Sequence, residues 1–407
     1  MPQPNADGLL ETVLHEWHAA NGGKMVAFGG WHMPVQYADG IIQEHLETRR
    51  RAGLFDVSHM GRFRLTGDGA EEFLCRTLTN DAALLATGEA QYTMIANENG
   101  GAVDDAYLYK LAEADFLLVV NASNKDKDWH WLNGLNQGGA PLRDISDEMA
   151  MIALQGPTAA EWLGQIVGPA ALPDDKRNRL ATVEVDGAPL IIARTGYTGE
   201  AVCFELFPQT DRAVSLWQRL IDLGAEPIGL GARDSLRLEA GFPLYGHELG
   251  EDVEGREIPI FAIALANFAV RASGDMAFVG AEALAAQRDE FQRIKLGEIE
   301  MPVEDRRLKR CIRPIAVFDG RRPLRAGHKV MIDGRLVGHV TSGTSVPYAH
   351  AAPDDGHDMR PIGLALIDSD LRYTEAGPVV IEIVDDRGKS VSAELVKRNM
   401  SPGATRK

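Results

Sequence analysis

Apolar and polar positions change their period several times along the chain, and each change predicts an element. In "GLLETVLHEWHAANGG", Leu9, Leu10, Val13, Leu14 and Trp17 recur at helical spacing, and Gly22-Gly23 supplies a stop, so an amphipathic helix is expected. "KMVAFGGWHMPVQY" is strand-like but broken by glycines and a proline, and "IIQEHLETRRRAGLFDVS" reads as a helix feeding a short strand. "GRFRLTGDGAEEFLCRTLTND" alternates as a strand, turns at Gly67-Asp68-Gly69 and becomes a helix. "GEAQYTMIANENGGAVDDAYLYKLAEADFLLVVN" predicts a three-strand meander with turns at Asn99-Gly100-Gly101 and Ala112–Asp115, and a helix over Lys125–Leu135 follows.

A second alternation of strand and helix covers Met149 to Gly231. Its strands lie in "MIALQGPTAAEWLGQI" and "PLIIARTGYTGEAVCFELFP", and its clearest helix is "DRAVSLWQRLIDLG". "GARDSLRLEAG" is a short helix that Gly241 stops, and the charged stretch Glu282–Leu308 reads as a helical connector. From about Lys309 the pattern becomes short strands punctuated by turns, which predicts an all-β terminal domain, barrel or sandwich. A chain of 407 residues is too long for one ordinary core. The expected fold class is α+β, with an α+β part made of 1–60 and 140–290, an α+β insert over 61–139 that carries the Asp105 hairpin, and a β-domain over 309–400.

Composition narrows the function. Hydrophobic residues make up 45% and charged residues 25%, the balance of a soluble globular protein. Fifty-nine acids against 42 bases give a formal charge of −17, which repels phosphate backbones and anionic lipid and argues against nucleic-acid or membrane partners. One local exception, "EDRRLKRCIRPIAVFDGRRPLR" over 304–325, is read either as a solvated charged face or as an anchor for an anionic ligand tail or acidic partner. Cys75, Cys203 and Cys311 form no CxxC pair, which suits a reducing cytosol. With no basic apolar leader and no run of 18 apolar residues, a cytoplasmic location is expected.

The familiar catalytic signatures are missing. No GxGxxG follows a strand, and neither a GxSxG elbow nor an HExxH occurs. His15 and His18 share a helix face without a third ligand nearby in sequence, and His350 and His357 sit among acids, so no metal is expected. Asp104 and Asp105, behind a Gly-Gly turn at the start of an apolar strand, are either a solvated loop end or part of an active site.

Seven segments decide between these. "GGKMVAFGGWHMPVQY", "FDVSHMG", "NENGGAVDD", "LQGPTA", "RTGYTGE", "GLGARDSLRLEAGFPLYGHEL" and "GHVTSGTSVP", taken in order, resemble the glycine-cleavage T protein (aminomethyltransferase) family, a tetrahydrofolate-dependent group, from about residue 10 to 400. The resemblance implies a three-domain cloverleaf around a central folate cavity, two ferredoxin-like α+β domains plus the C-terminal barrel or sandwich. It implies an aminomethyltransferase with tetrahydrofolate as cofactor and the lipoylated H protein of glycine cleavage as partner, forming 5,10-methylenetetrahydrofolate and ammonia.

By position, the resemblance makes Asp105 the catalytic carboxylate, with Asp104 capping the turn or supporting its neighbour. Such chemistry needs an acid that stabilises developing positive charge or relays a proton. A pterin presents an amino group and a ring N–H side by side, which a second carboxylate accepts in bidentate fashion. That glutamate matches Glu205, one residue beyond the usual spacing, with Glu200 as the alternative. Met60, Tyr92 and Tyr197 match positions lining the folate site, and Arg233 matches the family's ligand-contacting arginine. Asn121 is a candidate hydrogen-bond partner of the ligand. Arg237, one helical turn on, either shares the role of Arg233 or pairs with Glu239 or Asp234, and Tyr245 closes the same region.

The donor side matches less closely. "GEDVEGREIPIFAIALANFAV" is longer than the family pattern, with Asn267-Phe268 where Gly-Trp is usual, and about ten extra residues follow "TSG". Two other functions therefore stay open: a tetrahydrofolate-dependent demethylase using a small O-, N- or S-methyl donor, and a non-catalytic folate-binding protein.

Overall fold

A two-residue turn joins the first two strands. Strands Lys24–Phe28 and Trp31–Gln36 pair antiparallel around Gly29 and Gly30, whose φ angles of 55° and 84° only glycine adopts at little cost. The molecule is known from a computed structural model that describes residues 4–137, 139–272, 277–349, 356–373 and 377–397. It divides into one unit of 1–95 with 105–234 and another of 96–104 with 235–407.

The helix expected over the first apolar stretch is shorter than its periodicity suggests. Only His15–Ala20 is helical, because Leu10 is drawn out as a β-bridge partner of Trp31. The Leu10 N–H donates to the Gly30 carbonyl, and the His32 N–H donates back to the Leu10 carbonyl. Leu14 still reaches the core and is fully buried.

In the first unit a six-stranded sheet runs Leu180–Val185, Ala188–Ala193, Cys203–Pro208, Ile152–Gln155, Gly53–Asp56, Glu226–Ile228. Its neighbours are antiparallel except the last pair, which is parallel. The continuous apolar runs of the middle strands are buried throughout, and Leu54, Ile152, Leu154, Ile192, Phe204 and Leu206 share one core. Helices Ala159–Val167 and Thr210–Asp222 add Leu163, Leu216, Trp217 and Leu220 to it, at the 3.6-residue spacing that their sequences predict. A five-stranded sheet orders Glu89–Ala96, Ala102–Ala112, Asp115–Val120, Gly61–Thr66 and Leu142–Asp144, the expected meander extended by two strands. Helix Lys125–Leu135 follows it.

The second unit holds a closed antiparallel barrel, so the barrel alternative holds over the sandwich. The order is Arg310–Ala316, His357–Asp368, Arg335–Ala349, Lys329–Ile332, Val380–Val384, Ser390–Leu395, back to the first strand. Ile315, Val330, Val340, Ala365, Ile367, Ile383 and Leu395 fill it. Part of the insertion after "TSG" lengthens two barrel strands, which stay paired from Ser345 with Pro361 to Ala349 with His357. Residues 350–355, His350 among them, lie outside the described residues. The connector is helical only over Ala281–Leu296, because Gly297 takes a left-handed φ of 76° and a 3-10 turn at Val303–Asp305 follows.

The Asn97–Gly101 turn belongs to this second unit. Asn97 Oδ1 accepts from the N–H groups of Asn99 and Gly101, and Gly101 bridges Pro259. A Cβ on Gly101 would lie 2.0 Å from the Glu257 carboxyl carbon, so a side chain there forces Glu257 aside. Among the described residues no helix is long and apolar enough to cross a membrane.

Candidate active site

Strand alternation places Asp105, Tyr107 and Tyr109 on one face of Ala102–Ala112. Asp105 is half-buried, and both of its carboxylate oxygens are held. Tyr92 Oη donates to Oδ2 at 2.9 Å, and Asn121 Nδ2 donates to Oδ1 at 2.8 Å. Asp104, one position earlier, is fully buried. Three tyrosine rings lead away from Asp105: Tyr92 to Tyr107 at 6.1 Å between centroids, and Tyr107 to Tyr109 at 5.5 Å.

The row ends on a second carboxylate. Tyr109 Oη donates to Glu205 Oε2 at 2.7 Å, and the Thr195 hydroxyl donates to the same oxygen. Glu205 is buried on strand Cys203–Pro208, and its Oε1 accepts nothing among the described residues. Burial, and then the Glu205 charge, pushes the Tyr109 phenol well above its ordinary range, so it stays a donor. Glu200, the alternative, is committed elsewhere in an ion pair with Arg49. The guanidinium of Arg233 lies 4.9 Å from the centre of the Tyr197 ring, and its buried Nη1 meets no hydrogen-bond partner among the described residues. Burial lowers its pKa, opposed by Tyr197 and Glu205.

"FDVSHM" supplies the adjoining framework. Asp56 accepts from Thr12 Oγ1 at 2.6 Å and from the Ser58 N–H at 2.9 Å, and lies 3.0 Å from His18 Nε2. Burial alone would raise its pKa, but the bonds and charge of His18, with those of Thr12 and Ser58, hold it down to about 2. Tyr37 Oη contacts the other nitrogen of His18 at 2.8 Å, so both ring nitrogens are engaged and His18 is not a partner for a metal at His15. Met60 is half-buried beyond this turn, its carbonyl accepting from Arg62 Nη1.

His59 is buried with Nδ1 unpartnered among the described residues. Burial, opposed by the Asp56 charge and reinforced by Arg233 and Arg62, lowers its pKa from 6.5 to about 4. The unfolded chain therefore binds the His59 proton first on acidification. Stability is full above pH 6.5 and falls as the pH drops toward 4, by about 3 kcal/mol from this group. Asp56 adds a separate stabilising contribution, present above pH 3.8 and lost as the pH falls through about 2. Urea unfolding across these windows should show both slopes, and His59→Gln should flatten the upper one. An unchanged slope in that variant overturns the assignment.

The second unit contains Arg237 and Tyr245. Arg237 is deeply buried: its Nη1 donates to Glu248 Oε2 at 3.0 Å and to the Phe242 carbonyl at 3.0 Å, and its Nη2 donates to Ser342 Oγ at 2.9 Å. Tyr245 is half-buried and bridges Leu249. In the basic stretch, Arg306 is buried against Ser369 and Asp370, and Arg322 pairs with Asp385. Most of its charge that can be traced thus goes into the barrel unit itself.

Residues 14–263 match the family profile described as the GCVT N-terminal domain, more than half of the chain. An aminomethyltransferase of Deinococcus deserti is 42% identical over 90% of this chain and 91% of its own length. One from Thermus thermophilus is 41% identical over 95% and 97%. The chain belongs to the aminomethyltransferase family. The crystal structure of glycine cleavage system aminomethyltransferase T from Bartonella henselae, 30% identical, superposes with a TM-score of 0.77 over 98% of this chain and all of that one.

Within this aminomethyltransferase frame, Asp105, Tyr92 and Asn121 form one cluster, and Glu205, Tyr197 and Arg233 lie in the same unit. Sequence reasoning missed Tyr109, Thr195 and His59. The first was legible in "DDAYLYK", where every second residue is polar or aromatic. Thr195 and His59 carry no such local signal, because a lone hydroxyl or imidazole gains meaning only from the carboxylate or cavity it meets.

Proposed function

We propose that this chain takes the aminomethyl group carried on a sulfur of the lipoyl arm of the H protein and passes its one-carbon unit to tetrahydrofolate, breaking the carbon–nitrogen bond to release ammonia and the carbon–sulfur bond to leave the arm as its dithiol. The observation that carries this is the pair of carboxylates, Asp105 and Glu205, at the two ends of one tyrosine row. The residues fit a reduced pterin. Glu205 Oε1 is an acceptor with no partner among the described residues, and Arg233 Nη1 is a buried donor in the same condition. When bound, tetrahydrofolate supplies the N5 and N10 nitrogens that take up the carbon.

The protein's share follows from its geometry. Glu205 receives the amino and ring N–H groups of the pterin, held in orientation by Tyr109 and Thr195. Tyr197, with Arg233 stacked on it, and Met60 form walls for the ring system. Asp105, fixed at both oxygens, stabilises the positive charge that develops as the carbon–nitrogen bond to ammonia breaks, and it can accept or return a proton at Oδ1 or Oδ2. Two short donors hold it in place before any ligand arrives, so little reorganisation is needed.

Glu205→Gln replaces half of a charged acceptor by a donor. A hydrogen bond to a charged group contributes about 1.5–3 kcal/mol, so tetrahydrofolate affinity should fall about ten- to a hundredfold. Titration followed by calorimetry measures this, and unchanged affinity removes Glu205 from the role. The whole reading is tested by ammonia release from aminomethyl-loaded H protein with tetrahydrofolate. If tetrahydrofolate binds but no ammonia appears, the transfer assignment fails and methyl donors become the substrates to try.

A further inference from the structure

Outside the tyrosine row, a second set of side chains converges near the start of the chain. His15, the first residue of helix His15–Ala20, turns Nε2 to within 3.0 Å of Nδ1 of His32 on strand Trp31–Gln36, with ring centroids 5.1 Å apart. Glu11, four residues before His15, brings Oε2 to 3.5 Å from His15 Nδ1, the ring nitrogen opposite the one that faces His32. Only one of the two nitrogens can bind an ion, so the Glu11 side chain turns to join Nε2 and His32 Nδ1 about one centre. One ligand atom from each of the three lies within 4.8 Å of the other two, and all three side chains are half-buried.

We propose that Glu11, His15 and His32 bind a divalent transition-metal ion of the zinc class. Two borderline imidazole nitrogens beside one hard carboxylate match zinc, cobalt or nickel rather than the all-oxygen shells of calcium and magnesium. Bonds of about 2.0–2.1 Å in a tetrahedron set ligand atoms about 3.3 Å apart. The histidine pair already sits near that separation, and partial exposure leaves room for water in the remaining position. In the metal-free pair only one of the two facing nitrogens can carry the shared proton, so a single hydrogen bond is made where two lone pairs could serve a cation.

The surroundings hold the ligands in place. Asn5 Nδ2 donates to Glu11 Oε1 at 3.0 Å, while Asn5 Oδ1 accepts from the N–H groups of Asp7 and Leu9. The bridge between Leu10 and Trp31 fixes the backbone on either side, next to Glu11 and next to His32. Orientation of a ligand by an outer hydrogen bond is a usual feature of metal sites. The ion would tie the segment around Glu11 and His15 to the 24–36 hairpin. That hairpin also carries Phe28, which packs edge-on against His59 at 5.9 Å. The site does not depend on the transfer chemistry proposed above.

The test uses the untagged full-length protein, stripped with EDTA and titrated with zinc chloride by calorimetry and with cobalt chloride by visible absorption. One saturable equivalent is expected, with cobalt d–d bands of a low-coordinate nitrogen–oxygen site and a zinc-dependent rise in melting temperature. His32→Ala and Glu11→Gln should each weaken binding at least about tenfold, and Asn5→Ala about tenfold through the outer bond. His357→Ala should leave it unchanged. Far-ultraviolet circular dichroism without metal separates misfolded variants from ligand-deficient ones, and Glu11→Gln, at a partly exposed position, covers the case in which a histidine variant misfolds. No saturable equivalent, binding that survives both His32→Ala and Glu11→Gln, or loss in His357→Ala alone overturns the site and leaves a hydrogen-bonded histidine pair only.

Discussion

Asp105→Asn is expected to lower turnover about 10²- to 10⁴-fold while tetrahydrofolate affinity changes no more than a few-fold. The substitution keeps the size of the side chain and one acceptor oxygen but removes the negative charge and the site for a proton. Asn121 Nδ2 and Tyr92 Oη both point at this carboxylate, so the asparagine can keep one of these contacts and must face a donor with its own amide at the other. The loss should fall on kcat, because charge develops only as ammonia departs. Tyr92→Phe, which removes one of the two positioning donors, should give a smaller loss in the same direction. Single-turnover ammonia release, beside a separate binding titration, measures the split. Wild-type turnover in Asp105→Asn removes this residue from the mechanism, and a matching collapse of affinity makes it a binding group instead.

Glu248→Ala is expected to destabilise the 96–104 and 235–407 unit by about 3–5 kcal/mol. Glu248 is fully buried and meets three donors. It pairs with Arg237 and accepts from the Leu244 N–H at 3.0 Å through Oε2, and Thr341 Oγ1 donates to Oε1 at 2.6 Å. Truncation takes the carboxylate away from a buried guanidinium that also donates to the Phe242 carbonyl and Ser342 Oγ. Replacing both members, Arg237→Met with Glu248→Leu, should recover much of the loss, because no uncompensated charge is then buried. Urea unfolding of the two variants decides it. A loss below about 1 kcal/mol in Glu248→Ala means that the pair is not structural.

Arg233 and Arg237 show what the sequence leaves open and packing decides. "GARDSLRLEAG" places Arg233 and Arg237 one helical turn apart, and from sequence either could face a ligand. The fold separates them: Arg233 stacks on Tyr197 with Nη1 left over, whereas Arg237 is drawn to a glutamate eleven residues on and a serine in the barrel. The two glutamates after "GYTG" separate in the same way, Glu200 to Arg49 and Glu205 to Tyr109 and Thr195. In the first helix, periodicity proposed a longer element than formed, because a bridge to Trp31 drew Leu10 out.

What the sequence determined by itself is what depends on near neighbours and period. The strand–helix order, the helix over Lys125–Leu135, the β-rich terminal domain and the shared strand face of Asp105 with Tyr107 and Tyr109 follow from 3.6- and 2-residue repeats and turn residues. The family could be read as well, since its motifs are contiguous. Only the tertiary structure decided which buried charge meets which partner. His15 meets His32 rather than His18, Arg237 meets Glu248, and Glu205 keeps an oxygen with no partner among the described residues. The physical reason is that burying a charge or polar group is costly unless a partner arrives, and that partner comes from wherever the packed chain returns.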